Sequence, residues 1–320
     1  MISIHGHLQA MSSYRCWPRS GLVFIVVLSL SGCGAGESAR SESAQGDLSS
    51  ASIQRLERSS AKQKARVDQS IRKIKNHPLS KQFAVTVSYP YVITGNLPLA
   101  ELEHWKSRVL RTQAAIKSMY FRQDPSEVVQ IWLFRDAASY FYYNKSLWSA
   151  SPSTRYGYYL PKQKRMMMNI ASGGGTLTHE LVHPYIEVNF PSSPLWFNEG
   201  LASLYEQSYY KGGKVYGVAN WRLQSLKSVI AVNSMPSLEQ MMHTNRQQFL
   251  GENQEIYYAQ ARYLMLYLQS RGLLEKYYHQ FSNGVTLDKA GIKTLLKLTG
   301  YQSMEQLEGA WLSFIWSLNY

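Results

Sequence analysis

Apolar and polar residues alternate along Phe83-Ala-Val-Thr-Val-Ser-Tyr89, a β-branched stretch that predicts a strand. The period then changes. Leu102, Trp105, Val109, Leu110, Ala114 and Ile116 recur at helical spacing and predict a helix over 99–120. Val128–Phe134 reads as a second strand, and 136–148 as a helix capped by Asp136. Tyr156–Leu160 and Arg165–Ile170 form a candidate hairpin around Pro161-Lys-Gln-Lys164. Beyond Tyr209 the spacing is mostly helical to the end, over 219–230, 237–249, 254–271, 273–281, 287–298 and 303–318. No internal repeat is visible. Strands and helices first, helices only afterwards, predict an α+β fold: a lobe with a mixed sheet and helices over 79–209, then a mainly helical lobe over 210–320.

The N-terminal quarter of the pattern is of another kind. Arg15 and Arg19 precede an apolar run of ten, Gly21–Leu30, followed by Ser31-Gly32-Cys33. A basic segment, a short apolar run and small residues are the three parts of a secretory signal. The run is too short to span a bilayer, which takes about 20 residues. Leu30-Ser31-Gly32-Cys33 resembles the bacterial lipobox, which implies removal of 1–32 and a lipid on Cys33. Cys16 would leave with the signal, so no disulfide is expected. Gly34 after the cysteine favours the outer membrane, and an exported protein is not expected to bind nucleic acid. Residues 34–53 are small and polar and read as a flexible tether. From Gln54 to Asn76 the chain is basic and helical in propensity, which completes a tether-and-helix region over 33–78. Attraction to anionic headgroups or cell-wall polymer is one reading of that basic helix. A solvated helix with charged faces is the other, and the absence of a wide apolar face favours it.

Length and composition change the picture little. The 320 residues are 45% hydrophobic and 17% charged, with 23 tyrosines, in keeping with a globular protein of one or two domains. The net charge of +13 permits an anionic partner without identifying it.

The candidate chemistry lies in Thr178-His-Glu-Leu-Val-His183 and the residues after it. Residues four apart on a helix share a face, about 6 Å apart along the axis. His179 and His183 can therefore present two imidazoles to one Zn²⁺. Glu180 is placed to take a proton from an attacking water without binding the metal itself. Pro191-Ser-Ser-Pro194 breaks the helix, so that Glu199, early in a returning helix, can supply a third ligand. Two histidines, one carboxylate and an open fourth position make a hydrolytic set and not a closed structural one.

His179-Glu-Leu-Val-His183 followed by Trp196-Phe-Asn-Glu-Gly-Leu-Ala202 resembles the gluzincin metallopeptidases, and among them the peptidase MA-like domains related to aminopeptidase N and thermolysin. The resemblance is specific over 175–205. It implies a two-lobed zincin-like fold, Zn²⁺ on His179, His183 and Glu199, Glu180 as general base, and a peptide or protein substrate. Two departures stand out: the gap from His183 to Glu199 is a few residues short, and Pro184 removes a hydrogen bond to the carbonyl of Glu180.

By the same resemblance, Met166–Ile170 occupies the place of the edge strand that receives an extended substrate, although core packing is the stronger reading for Met166–Met168. Gly173–Gly175 allow either a close backbone approach or a turn. Tyr258 aligns with the family's oxyanion donor, with Tyr257 in reserve and packing an equal reading for Tyr258. His243 and His279 read better as surface or helix-end histidines. His77 and His104 show no partner spacing, and Glu187 sits about 12 Å along the helix from His179, too far to be a ligand. The leading expectation is a zinc peptidase anchored by lipid in the cell envelope. Two others stand beside it: a catalytically silent scaffold that binds peptide or cell-wall material, and a hydrolase of a non-peptide amide.

Overall fold

The computed structural model describes residues 50–320; the signal, Cys33 and most of the tether lie outside the described residues. Residues 50–320 belong to one compact unit. In chain order its elements are α1 (Ser50–Lys75), β1 (Ala84–Ser88), β2 (Tyr91–Gly95), α2 (Leu99–Met119), β3 (Val129–Phe134), α3 (Ala137–Trp148), β4 (Gly157–Leu160), β5 (Arg165–Asn169), α4 (Gly175–Asn189) and α5 (Leu195–Leu204). A second group follows: β6 (Ser208–Lys211), β7 (Lys214–Gly217), α6 (Arg222–Ala231), α7 (Leu238–Met242), α8 (Arg246–Phe249), α9 (Gln254–Ser270), α10 (Leu274–Gly284), α11 (Ile292–Thr299) and α12 (Met304–Ser317). The fold is α+β. No helix among the described residues is long and apolar enough to cross a membrane.

Five strands form a mixed sheet in the order β1-β2-β3-β5-β4, with β2, β3 and β5 parallel and the two outer strands antiparallel to their neighbours. Successive side chains of a strand point to opposite faces, and each face here has its own core. Ile93, Ile131, Leu133, Met166 and Met168 pack towards the main core shared with α2, α4, α5 and α9. Val92, Trp132, Phe134 and Met167 point the other way, against Val67, Ile71 and Ile74 of α1 and Tyr140 and Tyr143 of α3. The basic helix of the sequence thus has a narrow apolar stripe, and that stripe covers one face of the sheet.

The strand order corrects one expectation. β5 is not an edge: the turn at 161–164 folds β4 back along it, so β4 is the border strand and β5 lies between β3 and β4. Met166, Met167 and Met168 are accordingly buried packing residues. Three further differences have local causes. β2 was not foreseen, because all five of its residues are buried and the alternation that marks a half-exposed strand is missing. The hairpin β6–β7 precedes the first of the expected helices and was not foreseen; it turns on Gly212 and Gly213 with φ of 58° and 74°, the positive values a two-residue turn requires. The helix expected over 237–249 is two, because Ser237 and Asn245 each close a capping box, with Gln240 and Gln248, and start a helix of their own.

Asp136 caps α3 as expected, its carboxylate accepting from the Ser139 N–H at 2.8 Å.

Candidate metal centre

α4 and α5 build the site between them. α4 runs from Gly175 through Pro184 to Asn189, placing His179, Glu180 and His183 on consecutive turns. A five-residue link reverses the chain, tightened by the Ser193 N–H donating to the Phe190 carbonyl at 3.0 Å. The short gap is therefore bridged by a tight turn. α5 then brings Glu199 back across the histidines.

Each residue of Trp196–Ala202 has a physical task. Trp196 and Phe197 are wholly buried and pack against Phe281, and Phe197 also meets Phe190, fixing α5 onto α10 and the end of α4. Asn198 accepts from His183 Nδ1 at 2.8 Å. Glu199 points its carboxylate at the histidines. Gly200 lets α9 approach: a Cβ there would sit 3.0 Å from the Ala261 carbonyl oxygen and 3.1 Å from its Cβ. Leu201 and Ala202 are buried.

The distances converge. Glu199 Oε2 lies 3.3 Å from His179 Nε2 and 4.0 Å from His183 Nε2. Ligand atoms around a tetrahedral zinc, with bonds of 2.0–2.2 Å, are about 3.3–3.5 Å apart. One separation fits as it stands, and the other needs about half an ångström of closure. Ligand atoms of His179, Glu180 and His183 also lie within 4.8 Å of one another, so Glu180 is a geometric competitor for the third position. Its Oε2 is 3.7 Å from His183 Nε2, whereas Glu199 lies between both Nε2 atoms. Glu199 is the better third ligand, and Glu180 stands beside the set. Side-chain exposures of 10–14% leave His179, Glu180, His183 and Glu199 nearly enclosed but reachable.

The tautomers agree with this assignment. With Asn198 accepting from His183 Nδ1–H, the Nε2 lone pair is free for a metal. His179 Nδ1 has a partner that the sequence reading missed: Glu206 Oε1, at 3.3 Å. Ser203 Oγ is at the limit of contact, 3.5 Å from the same nitrogen. Arg222 Nη2 approaches Glu206 Oε1 at 3.2 Å, and Asn220 Nδ2 donates to Oε2 at 3.2 Å, so the carboxylate is oriented in turn. A carboxylate or amide behind each ligating imidazole is the usual support of a histidine–metal site. Glu206 lies just beyond α5, and Gly175 permits its backbone to approach: a Cβ at Gly175 would stand 2.5 Å from the Glu206 carbonyl oxygen.

Electrostatics favour a cation. Burial works to raise Glu199, but the His183 and His179 imidazoles outweigh it and hold the carboxyl down to about 2, helped by a hydrogen bond from Tyr258. Glu206 is likewise held at about 2 against burial, by His179 and Arg222. Burial works to lower His179, but Glu199 and Glu206 push it up to about 10. Glu180 is raised, because burial outweighs both imidazoles. Glu199 stays ionised beside both imidazoles with Glu206 ionised behind one of them, surroundings that suit a divalent cation on His179, His183 and Glu199.

Tyr258 of α9 reaches the site. Its hydroxyl is directed to the Glu199 carboxylate, its pKa is raised by burial and then by that carboxylate, and the Arg222 guanidinium lies 5.4 Å over its ring. Tyr257, by contrast, is buried and stacked on Phe249 at 5.7 Å. The other candidates serve elsewhere. His279 Nε2 contacts the Met119 carbonyl at 3.2 Å, His243 caps α7, and His77 Nδ1 accepts from the Leu79 N–H at 3.1 Å. Glu187 pairs with Lys164 at 2.6 Å and accepts from the Tyr159 hydroxyl at 3.3 Å, fastening α4 to the β4–β5 hairpin.

No family model matches the chain, and no curated protein matches it.

Proposed function

We propose that the protein is a zinc-dependent peptidase of gluzincin type, with the two-lobed zincin-like fold, held in the cell envelope through Cys33. The observation that carries this reading is the meeting of Glu199 with both histidines on their Nε2 side, while Asn198 and Glu206 occupy the Nδ1 side. His179, His183 and Glu199 would hold the ion. When bound, zinc polarises a carbonyl and makes water a nucleophile near neutral pH.

The chain's own residues do the remainder. Glu180, nearly enclosed and raised by burial, takes the proton of the attacking water and delivers it to the departing amine nitrogen. Tyr258, kept protonated by its raised pKa, donates its O–H to the oxyanion as the carbonyl becomes tetrahedral. An ionised tyrosine could not. The bordering strand β4, beside α4, has an outer backbone edge that pairs with no other strand among the described residues, and an extended peptide can lie along it.

The test is metal analysis together with cleavage of a broad peptide library. Wild type holds about one zinc per chain, as a three-ligand site does. Glu180→Gln keeps the zinc and loses about 10²–10⁴-fold in turnover, the usual contribution of a general base. Wild type that is fully loaded with zinc yet cleaves no peptide, and binds peptides as Glu180→Gln does, would overturn the proposal in favour of a silent peptide-binding scaffold.

A further inference from the structure

On the side of the sheet away from the main core, a cavity of about 410 Å³ opens between α1, the start of β3 and the β4–β5 turn. Five cations line it: Arg66 and Lys73 from α1, Lys162 and Lys164 from the turn, and Arg165 at the start of β5. Glu127 is the single acid in the lining. The Lys164 ammonium is held by Glu187 at 2.6 Å. Setting Glu127 and Glu187 against the five cations leaves three positive charges facing one small volume.

The groups are placed, and not merely exposed. Arg66 donates through Nη1 to the Ser126 carbonyl, which fixes its guanidinium at the cavity wall. The Arg165 guanidinium lies over the Trp148 ring, 4.4 Å from its centroid, and its Nε is buried without a hydrogen-bond partner among the described residues. A buried donor without an acceptor is costly, about 1–3 kcal/mol in general. Next to the basin lies a smaller recess of about 100 Å³, sharing Lys73, Gln130 and Arg165 and walled by Ile74, Trp132, Leu147 and Trp148. One ligand could therefore meet cations at one end and apolar rings at the other.

From this arrangement we propose that the basin is a binding site for a phosphate-bearing anion. A phosphate monoester carries about −1.5 to −2 charges at neutral pH and three acceptor oxygens on one centre, and an anionic diester headgroup keeps a full negative charge on the oxygens that remain free. Forked guanidinium donors match that shape, and the lysines add point charge. The volume lies within the usual range for small-ligand sites and is larger than a bare ion needs. The organic part of the ester takes the recess beside Trp148. Such an anion can come from a lipid headgroup or from a free phosphorylated compound. The site is independent of the metal centre, sharing none of its residues.

Titration calorimetry on the full chain tests this. The probes are inorganic pyrophosphate, glycerol 3-phosphate and dihexanoyl phosphatidylglycerol below its micellar concentration. Succinate and dihexanoyl phosphatidylcholine serve as controls. Because phosphates also bind zinc, the readout is the difference between wild type and the pair Lys73→Glu with Lys162→Glu. Both side chains are exposed, and unchanged zinc content and circular dichroism verify the fold. The milder Lys73→Gln with Lys162→Gln pair stands in if the charge reversal does not fold. At least one phosphate probe binds wild type saturably and is weakened at least tenfold in the pair, whereas succinate binds weakly to both. Binding of phosphatidylglycerol identifies a lipid headgroup as the source, and binding of the soluble phosphates alone identifies a free compound. Equal affinity in wild type and variant, or succinate as tight as the phosphates, would overturn the proposal.

Discussion

Glu206→Gln isolates one link of the metal centre. The carboxylate stands 3.3 Å from His179 Nδ1 and holds the imidazole with Nε2 turned to Glu199. Glutamine keeps the size and an acceptor oxygen but removes the charge. Loss of such a supporting partner generally weakens metal binding 10–100-fold. Two features place this case near the lower end. A contact of 3.3 Å is longer than the 2.7–2.9 Å of a strong charge-assisted bond, and Arg222 and Asn220 already draw on the same carboxylate. The expected loss is about tenfold in zinc affinity, equivalent to about 1.4 kcal/mol. Competition against a chromophoric chelator measures it, and turnover at saturating zinc should change little, since the three ligands remain. Ser203→Ala is the control: at 3.5 Å its hydroxyl is at the limit of a hydrogen bond, and its removal should leave zinc affinity nearly unchanged. An unaltered zinc Kd in Glu206→Gln, or a larger loss in Ser203→Ala, would refute the reasoning that Glu206 orients His179.

Two further outcomes follow from α9. Tyr258→Phe should lower kcat with KM nearly unchanged, because the hydrogen bond strengthens only as the oxyanion forms; an effect confined to KM would assign the hydroxyl to substrate binding. Gly200→Val should destabilise the fold by about 1–3 kcal/mol, the usual cost of overpacking, since even a single Cβ would stand 3.0 Å from the Ala261 carbonyl oxygen. Thermal unfolding measures that loss, and an unchanged midpoint would mean that α5 and α9 are less tightly apposed than described.

Much of the site was legible because it is local. His179, Glu180 and His183 lie within two turns of one helix, and the prolines at 191 and 194 announce the reversal that returns Glu199. Glu206 was not legible: it touches His179 only through the packing of the segment after α5 against the start of α4, which no spacing encodes. Gly175 was the available signal, read as either a turn or a close approach, and the approach is to Glu206. Sheet order is equally silent in sequence. Arg165–Ile170 was recognisable as a strand, but only pairing with β3 on one side and β4 on the other excludes it from the edge. The β6–β7 hairpin did carry a mark, Gly212-Gly213 between tyrosine-rich runs, which the helical spacing around it overshadowed.

If His179, His183 and Glu199 hold an ion as proposed, their placement within residues 179–199 has a consequence for how the protein would respond to losing it. The entropic cost of closing a loop grows only with the logarithm of its length, and here the loop is one short helix-to-helix reversal. A bound ion would act as a clip between neighbours in sequence, with no strand of the sheet under its control. Chelation should then raise amide hydrogen exchange in α4, α5 and the facing part of α9, while β1, β2 and β3 keep their protection. A rise spread evenly over the sheet would mean that the ion is a keystone of the whole domain and not a local fastening.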